Sequence, residues 1–194
     1  MKTKTLIIAA LILVVWTSGF SQGKVEKPTT KEAIKIGETA PDFSLTDQDG
    51  KQTKLSAAVK KSNVVLVFYR GYWWPFCARQ LAELRTLLKA GEKTQIFAVS
   101  IDKADKSVGL IKKIEADGKG KIAYRLLSDP DAKTIDAYGL RDERYADKSV
   151  FGIPRPAILV LDKKRKIVWA KIEDDYKKRP TNEEIRAELD KIKR

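Results

Sequence analysis

Residues 64–80 read VVLVFYRGYWWPFCARQ and join two patterns of apolar residues. Val64–Tyr69 is a continuous apolar run rich in β-branched residues, which is typical of a strand buried on both faces of a sheet. Leucines then recur at three- to four-residue spacing from 81 to 88, which predicts a helix. Pro75 suits the first turn of that helix, where a missing N–H costs nothing. The sequence therefore places Cys77 in the first turn of a helix that follows a buried strand.

The same alternation continues towards the C terminus. Ile96–Ile101 predicts a second buried strand, and the apolar spacing of residues 108–114 predicts a helix after it. Ala157–Leu161 and Ile167–Ile172 predict a pair of strands, and the capping-box pattern at Thr181–Glu184 predicts the start of a last helix. Strands alternating with helices predict an α/β fold, a three-layer α/β/α sandwich with a mixed central sheet.

The N-terminal segment has the pattern of an export signal. Two lysines precede an apolar run at Leu6–Trp16, and small or polar residues follow. This pattern is typical of a signal peptide, here residues 1–21, because a membrane span needs roughly 20 apolar residues. The alternative is an uncleaved anchor, and either way the leader is the only predicted membrane contact. We expect an exported protein, periplasmic or secreted, with a polar linker at 22–35 and one domain at 36–194.

Composition excludes several kinds of site. The chain has 194 residues and a formal net charge of +13, but its lysines are scattered. The one dense basic run, Lys163–Lys166, lies between two predicted strands and is interpreted as a solvated hairpin turn, so no nucleic-acid partner is predicted. With no histidine and one cysteine, the chain cannot form a Cys/His zinc site or an internal disulfide. No metal or cofactor is predicted, and redox chemistry depends on Cys77.

Cys77 has two interpretations from its position alone. The helix N terminus carries unpaired N–H groups and positive dipole charge that stabilise a thiolate, and Arg70 and Arg79 would add to this if they turn inward. Such a thiolate attacks peroxides or disulfides. Alternatively, Cys77 shares a helix face with the leucines that follow it and is a small buried apolar residue.

Three motifs resemble one family. GETAPDFSL at residues 37–45 resembles the opening of the alkyl hydroperoxide reductase and thiol-specific antioxidant (AhpC/TSA) family, in the thioredoxin-like superfamily. PAILVLD at 156–162 resembles the strand entry where that superfamily has a cis-proline, here Pro156, facing the active cysteine. FYRG at 68–71 and WWPFC at 73–77 are similar to a peroxiredoxin-like branch that reads F-Y-R-G and W-C-P-[YF]-C. The resemblance covers residues 36–190 and implies a thioredoxin-like fold.

The sequence also departs from this family. The first cysteine of the C-x-x-C pair is Trp74 here, so the chain cannot complete a dithiol cycle alone. Against the peroxiredoxin pattern P-x-x-x-T-x-x-C, Cys77 holds the peroxide-attacking position, while Trp74 replaces the threonine and Arg70 the proline. The family's peroxide-polarising arginine lies beside the strand entry, and Arg155 stands one residue before the corresponding position.

The resemblance implies a one-cysteine peroxiredoxin-like oxidoreductase. Cys77 would reduce a hydroperoxide, helped by Arg155 or alternatively Arg70, and an external thiol or disulfide-reductase partner would restore it. The remaining pocket residues would be Trp73, Trp74, Pro75, Phe76 and Pro156, where the tryptophans act as a packing plug or stack on substrate. A homodimer is compatible with the sequence. The alternative functions are a catalytically degenerate thioredoxin-like binding module and a thiol protein that forms mixed disulfides.

Overall fold

A mixed sheet of seven strands runs through the domain in the computed structural model, which describes residues 31–146 and 148–192. The strands lie in the order β2-β1-β5-β4-β3-β6-β7, with β4 parallel to both β3 and β5 and the other pairs antiparallel. Their bounds are β1 Ser44–Asp47, β2 Gln52–Lys54, β3 Asn63–Phe68, β4 Thr94–Ser100, β5 Arg125–Ser128, β6 Ala157–Leu161 and β7 Ile167–Ile172. The predicted mixed sheet is confirmed.

Helices cover both faces of this sheet. Their bounds are α1 Leu55–Val59, α2 Pro75–Glu83, α3 Ala104–Glu115, α4 Lys133–Ala137 and α5 Asn182–Ile192. Side chains of α2, α3 and α5 share one hydrophobic core with Val65, Val67 and Tyr69. Side chains of α1 and α4 share the other core with Val64, Leu66 and Phe68. The predicted three-layer α/β/α sandwich is therefore confirmed.

Strand β3 fixes where the candidate site lies. Every residue of β3 is buried, because β4 and β6 flank the strand in the sheet and helices cover both of its faces. Beyond its carboxyl end, the N–H of Tyr69 still donates to the carbonyl oxygen of Val99, at 3.0 Å. The chain then turns through residues 70–74 into α2. Cys77 consequently lies at the carboxyl edge of the central strands, where open α/β sheets bind their ligands.

The last helix begins as its sequence predicts. The N–H of Thr181 donates to Oε2 of Glu184 at 2.7 Å, and the N–H of Glu184 donates to Oγ1 of Thr181 at 3.2 Å. These reciprocal bonds are a capping box, which satisfies N–H groups that a helix start leaves free. Ile185 and Leu189 pack into the core that contains Cys77. The segment leading into α5 is thereby held beside α2.

The predicted basic turn joins strands β6 and β7. Oδ1 of Asp162 accepts the backbone N–H groups of Lys164 and Lys166, both at 2.8 Å. Lys163, Lys164 and Lys166 are exposed, so the interpretation of this run as a solvated hairpin turn is confirmed.

The predicted leader and residues 22–30 of the predicted linker lie outside the described residues, so both stay predictions. The end of the linker contacts the domain: Ile34 is buried, and its N–H donates to the carbonyl oxygen of Tyr138 at 3.1 Å. Within the described ranges, no helix is long and apolar enough to cross a membrane.

Candidate functional site

Cys77 occupies the first turn of α2, as the sequence predicts. Trp74 is the N-cap residue, Pro75 is the first helical residue, and the N–H of Cys77 donates to the carbonyl oxygen of Trp74 at 3.0 Å. The side chain of Cys77 is completely buried, with an exposed fraction of 0%. The helix start therefore orients the thiol into the core rather than towards solvent.

The Cys77 sulfur accepts two hydrogen bonds. The backbone N–H of Arg70 lies 3.4 Å from Sγ, and Nη2 of Arg179 lies 3.5 Å from it. One donor is a neutral amide and the other a guanidinium, so both interactions strengthen when the sulfur is negative. The two donors thus meet the sulfur inside a shell of otherwise apolar neighbours.

Arg179 is held by several acceptors and was missed by the sequence reasoning. Its Nε donates to Oε1 of Gln80 at 2.9 Å, and its Nη1 donates to the carbonyl oxygens of Tyr176 and Lys178 at 2.6 and 2.5 Å. The available signal was its place just before Pro180 and the capping box of α5. That signal becomes useful only when α5 is known to pack on the same sheet face as α2.

Arg70 turns inward but pairs with Asp142 rather than with the sulfur. Its side chain is 0% exposed, and its Nη1 lies 2.7 Å from Oδ2 of Asp142. Asp142 also accepts from Nε of Arg144 at 2.7 Å. Burial alone would raise the pKa of Asp142, but the hydrogen bonds and charges of Arg144 and Arg70 hold this pKa below its ordinary value. Asp142 is therefore the counter-ion that allows Arg70 to stay charged inside the domain.

Three aromatic rings enclose the Arg70 guanidinium, and we call Trp74, Tyr145 and Tyr176 the aromatic cover. The Arg70 carbon Cζ lies 4.3 Å from the Trp74 ring centroid, 4.4 Å from that of Tyr145 and 5.5 Å from that of Tyr176. Trp74 also meets Tyr176 edge-on at 5.1 Å. Because Trp74 packs against the core that contains Cys77, its predicted role as a packing plug is supported by its contacts.

The other predicted pocket residues occupy different surroundings. Trp73 is 37% exposed, and its ring lies against Gly71, where a Cβ atom would stand 2.3 Å from it. Gly71 also has a positive φ of 149°, so this close approach requires glycine. Pro75 is exposed, whereas Phe76 is half-buried with its ring centroid 6.1 Å from that of Tyr176. Arg79 is exposed and does not turn inward.

The structure does not bring Arg155 to Cys77. Nη2 of Arg155 donates to the carbonyl oxygen of Gly139 at 3.1 Å, and its Nη1 lies 3.3 Å from the Asp174 carboxylate. Along β6, Ala157 belongs to the core opposite Cys77, whereas Ile158 belongs to the core of Cys77. Since side chains alternate along an extended chain, Arg155 lies on the Ala157 face. Its catalytic role stays a prediction that no described hydrogen bond or ion pair to Cys77 supports.

The predicted cis bond before Pro156 is wrong, because no cis peptide bond occurs among the described residues. The chain enters β6 already extended and paired on both sides. The N–H of Arg155 donates to the carbonyl oxygen of Leu140 at 2.7 Å, and the N–H of Glu173 donates to that of Pro156 at 2.9 Å. X-Pro peptide bonds prefer the trans form by about 0.5–1 kcal/mol, and both of these hydrogen bonds form with the trans peptide. Pro156 is buried, as expected of a residue that shapes this region.

A second polar group is buried beside the loop that leads into α2. Tyr69 Oη, Asp102 Oδ2 and Ser107 Oγ are buried without a hydrogen-bond partner among the described residues. Burial raises the pKa of Asp102 to about 6, and polar groups of Ser100 and Tyr72 oppose part of this rise. The folded state therefore holds a proton that the unfolded chain releases near its ordinary value of 3.8. Asp102 consequently lowers stability as pH rises between these values.

We expect Asp102→Asn to raise the free energy of unfolding at about pH 7 by on the order of 2 kcal/mol, and to change it little at about pH 4. The physical reason is that asparagine stays neutral where the buried carboxylate must ionise. Urea unfolding at both pH values measures the difference. Asp131→Asn is the matched control, because the Asp131 side chain is 71% exposed. A stability change that is equal at both pH values would contradict the assignment.

Comparisons with known proteins agree with this geometry. The sequence pattern of the AhpC/TSA family matches residues 36–170. A 1-Cys peroxiredoxin of Dictyostelium discoideum is 32% identical over 126 residues, which are 62% of this chain and only 52% of that protein. Peroxiredoxin Bcp of Escherichia coli K12 is 32% identical over 132 residues, which are 66% of this chain and 79% of that protein.

The fold is also similar to that of solved proteins. The crystal structure of a peroxiredoxin-like protein from Aquifex aeolicus superposes with a TM-score of 0.72 at 16% identity, covering 84% of this chain and 90% of that one. At this identity the likeness concerns the fold, which is thioredoxin-like as the motifs imply. Because the family pattern covers more than half of the sequence and includes Cys77, the chain belongs to the AhpC/TSA family.

Proposed function

We propose that this protein reduces hydroperoxides through Cys77, as a one-cysteine peroxiredoxin-like peroxidase. The observation that carries the proposal is the sulfur at the start of α2, which accepts from the Arg70 amide at 3.4 Å and the Arg179 guanidinium at 3.5 Å. Family membership and relatives named as peroxiredoxins support thiol-dependent oxidoreductase chemistry at this cysteine.

The reaction requires few groups. The Cys77 thiolate attacks one peroxide oxygen, an S–O bond forms, and the O–O bond breaks with its electron pair leaving on the other oxygen. That oxygen takes a proton and departs as water or an alcohol, and Cys77 becomes a sulfenic acid. Arg179 is placed to stabilise both the thiolate and the negative charge that grows on the departing oxygen. Arg70 contributes its amide N–H at the sulfur.

The sulfenic acid must be reduced by thiols from outside the chain, since the chain has one cysteine. A first external thiol forms a mixed disulfide with Cys77 and releases water, and a second thiol frees Cys77 and leaves as a disulfide. Partner recognition would thus include either a small thiol or the dithiol of a disulfide reductase. An exported location, which the leader pattern predicts, is part of this proposal, and a homodimer is compatible with the sequence.

The test is mass spectrometry of the protein after one equivalent of hydrogen peroxide, with dimedone present to trap the sulfenic acid. We expect a dimedone adduct on Cys77 and none in Cys77→Ser. A fast peroxidase treated in parallel shows that the peroxide is active. If that enzyme reacts while Cys77 stays a free thiol, the proposal is wrong.

The complete burial of Cys77 favours a second candidate, a catalytically inert thioredoxin-like binding module. Trp74 in place of a second thiol agrees with it. Alkylation by iodoacetamide distinguishes the two, because a reactive thiol should modify in the folded protein at a rate near that of an unfolded control. An inert Cys77 would be modified only after unfolding in urea.

The third candidate is a thiol protein that forms mixed disulfides through Cys77. Non-reducing electrophoresis of the oxidised protein detects such disulfides.

A further inference from the structure

The Cys77 site is closed by side chains from separate chain segments. Trp74 comes from the start of α2, Tyr145 from the 3-10 turn at Glu143–Tyr145, and Tyr176 from the segment before α5. Each of these three residues is half-buried, while Cys77 has no exposed surface. The aromatic cover therefore lies between solvent and the buried Arg70 guanidinium, and its Trp74 packs against the core that contains Cys77.

Hydrogen bonds connect the main chain of two cover residues to Cys77. One guanidinium, that of Arg179, binds the carbonyl oxygen of Tyr176 through Nη1 and the Cys77 sulfur through Nη2. Trp74 is anchored as well, because its carbonyl oxygen accepts the N–H groups of Cys77 and Ala78, at 3.0 and 3.1 Å. These bonds hold the main chain of Tyr176 and Trp74 beside the sulfur, and so fix the points from which the two rings extend.

Three buried donors of Arg70 and Gln80 lack an acceptor near this cover, within the part of the chain that the structure describes. Nε and Nη2 of Arg70 and Nε2 of Gln80 are buried without a hydrogen-bond partner among the described residues. Buried donors of this kind call for an acceptor. A small peroxide offers oxygen atoms to such donors, whereas a bulky alkyl group would set apolar surface against them. The small size and the polar surface of hydrogen peroxide therefore both favour it over a bulky organic hydroperoxide.

We propose that the aromatic cover restricts Cys77 to small peroxides such as hydrogen peroxide and excludes bulky organic hydroperoxides, with Trp74 as the specificity-determining residue. This inference rests on the proposed peroxidase function. Trp74 stands where the resemblance places a threonine or a cysteine, and its indole is much larger than either. Its ring contacts both the Arg70 guanidinium and the Tyr176 ring, so a smaller side chain at this position would leave open space beside both.

The first test compares rate constants for oxidation of Cys77 by hydrogen peroxide and by cumene hydroperoxide. We expect hydrogen peroxide to be preferred, and Trp74→Ala to lower that preference by roughly tenfold or more. Trp74→Phe should give an intermediate preference and preserves an aromatic ring if the alanine variant fails to fold. Phe151→Ala is the matched control, since Phe151 is an aromatic residue that is 55% exposed, and it should keep the preference of the original protein. Equal rates with both peroxides in the original protein would overturn the inference.

The second test does not need peroxidase activity. N-ethylmaleimide and N-(1-pyrenyl)maleimide carry the same reactive group and differ in size. We expect the pyrenyl reagent to be the slower one at Cys77 and to gain more from Trp74→Phe or Tyr176→Ala than the ethyl reagent does. If the protein reacts with no peroxide but shows this size selection, the proposed function fails and the cover still stands. Equal acceleration of both reagents would show that Trp74 supports the fold without selecting by size.

Discussion

Replacing Asp142 by alanine is expected to lower the free energy of unfolding by about 3–5 kcal/mol, because the change leaves a buried charge without its counter-ion. Arg70 is 0% exposed, and its ion pair with Asp142 is 2.7 Å long. The aromatic cover offers cation–π contacts, but these are individually worth only about 0.5–2 kcal/mol. They cannot replace a carboxylate for an arginine that has no access to water.

Urea denaturation with a two-state fit measures this loss, and an unchanged slope shows that the unfolded state is the same. Arg144→Ala is the matched control. Arg144 binds the same carboxylate, but its side chain is 53% exposed, so its loss should cost about 0–1 kcal/mol. The double variant Arg70→Met with Asp142→Leu should be more stable than Asp142→Ala alone, because it removes both charges. A loss below about 1 kcal/mol for Asp142→Ala would refute the buried-pair argument.

Replacing Arg179 by methionine is expected to slow oxidation of Cys77 by hydrogen peroxide by on the order of 100-fold. Nη2 of Arg179 is the one charged donor recorded at the sulfur among the described residues, at 3.5 Å. Methionine keeps much of the side-chain volume while it removes the charge and every donor. Arg179→Lys keeps the charge but cannot bind Gln80, Tyr176 and the sulfur in one planar fork, so it should recover part of the rate.

Stopped-flow measurement of peroxide consumption at fixed pH gives these rates, and iodoacetamide alkylation gives a second reading. Alkylation should also slow, but less than peroxide reduction, because it needs the thiolate and no stabilised leaving oxygen. Arg79→Met is the matched control. Arg79 lies on α2, the helix of Cys77, but its side chain is exposed and its guanidinium lies 5.9 Å from the Phe76 ring. An Arg179→Met variant that reduces peroxide at the original rate would remove Arg179 from the mechanism.

The two predictions concern different roles of the two arginines. Arg70 contributes its main-chain N–H to the sulfur, while its side chain belongs to a buried ion pair that supports the aromatic cover. Arg179 contributes its side chain to the sulfur and its position to Tyr176. In the sequence, Arg70 lies 7 residues from Cys77 whereas Arg179 lies 102 residues from it, so of the two only Arg70 stands out as a nearby cation. The two roles differ because the guanidinium of Arg70 binds Asp142, whereas that of Arg179 binds the sulfur.

Some features of the fold follow from local sequence alone. The apolar run of β3 and the spacing of the leucines after it predict a buried strand and a helix, because these periodicities match their geometries. Pro75 and the capping box at Thr181 predict helix starts, since local backbone groups are satisfied there. The placement of Cys77 in the first turn of α2 required no tertiary information.

Other features depend on contacts between distant parts of the chain. Arg155 and Pro156 are adjacent in the chain. The alternation of side chains along the extended chain into β6 nevertheless places Arg155 on the sheet face opposite Cys77. The bond before Pro156 is trans, and the chain there bonds to Leu140 on one side and to Glu173 on the other. Arg179 reaches the sulfur from 102 residues away, because α5 packs on the face of α2.

The sequence by itself determined the fold class, the family and the presence of one thiol at a helix start. The fold class and the helix start depend on periodicity and local capping, the single thiol is a matter of composition, and the family is implied by motifs that resemble it. Tertiary structure alone decided that Cys77 is buried, that Arg179 is its charged neighbour, and that Trp74, Tyr145 and Tyr176 close over Arg70. The physical reason is that burial and ion pairing are set by neighbours in space, which strand order and helix packing bring together.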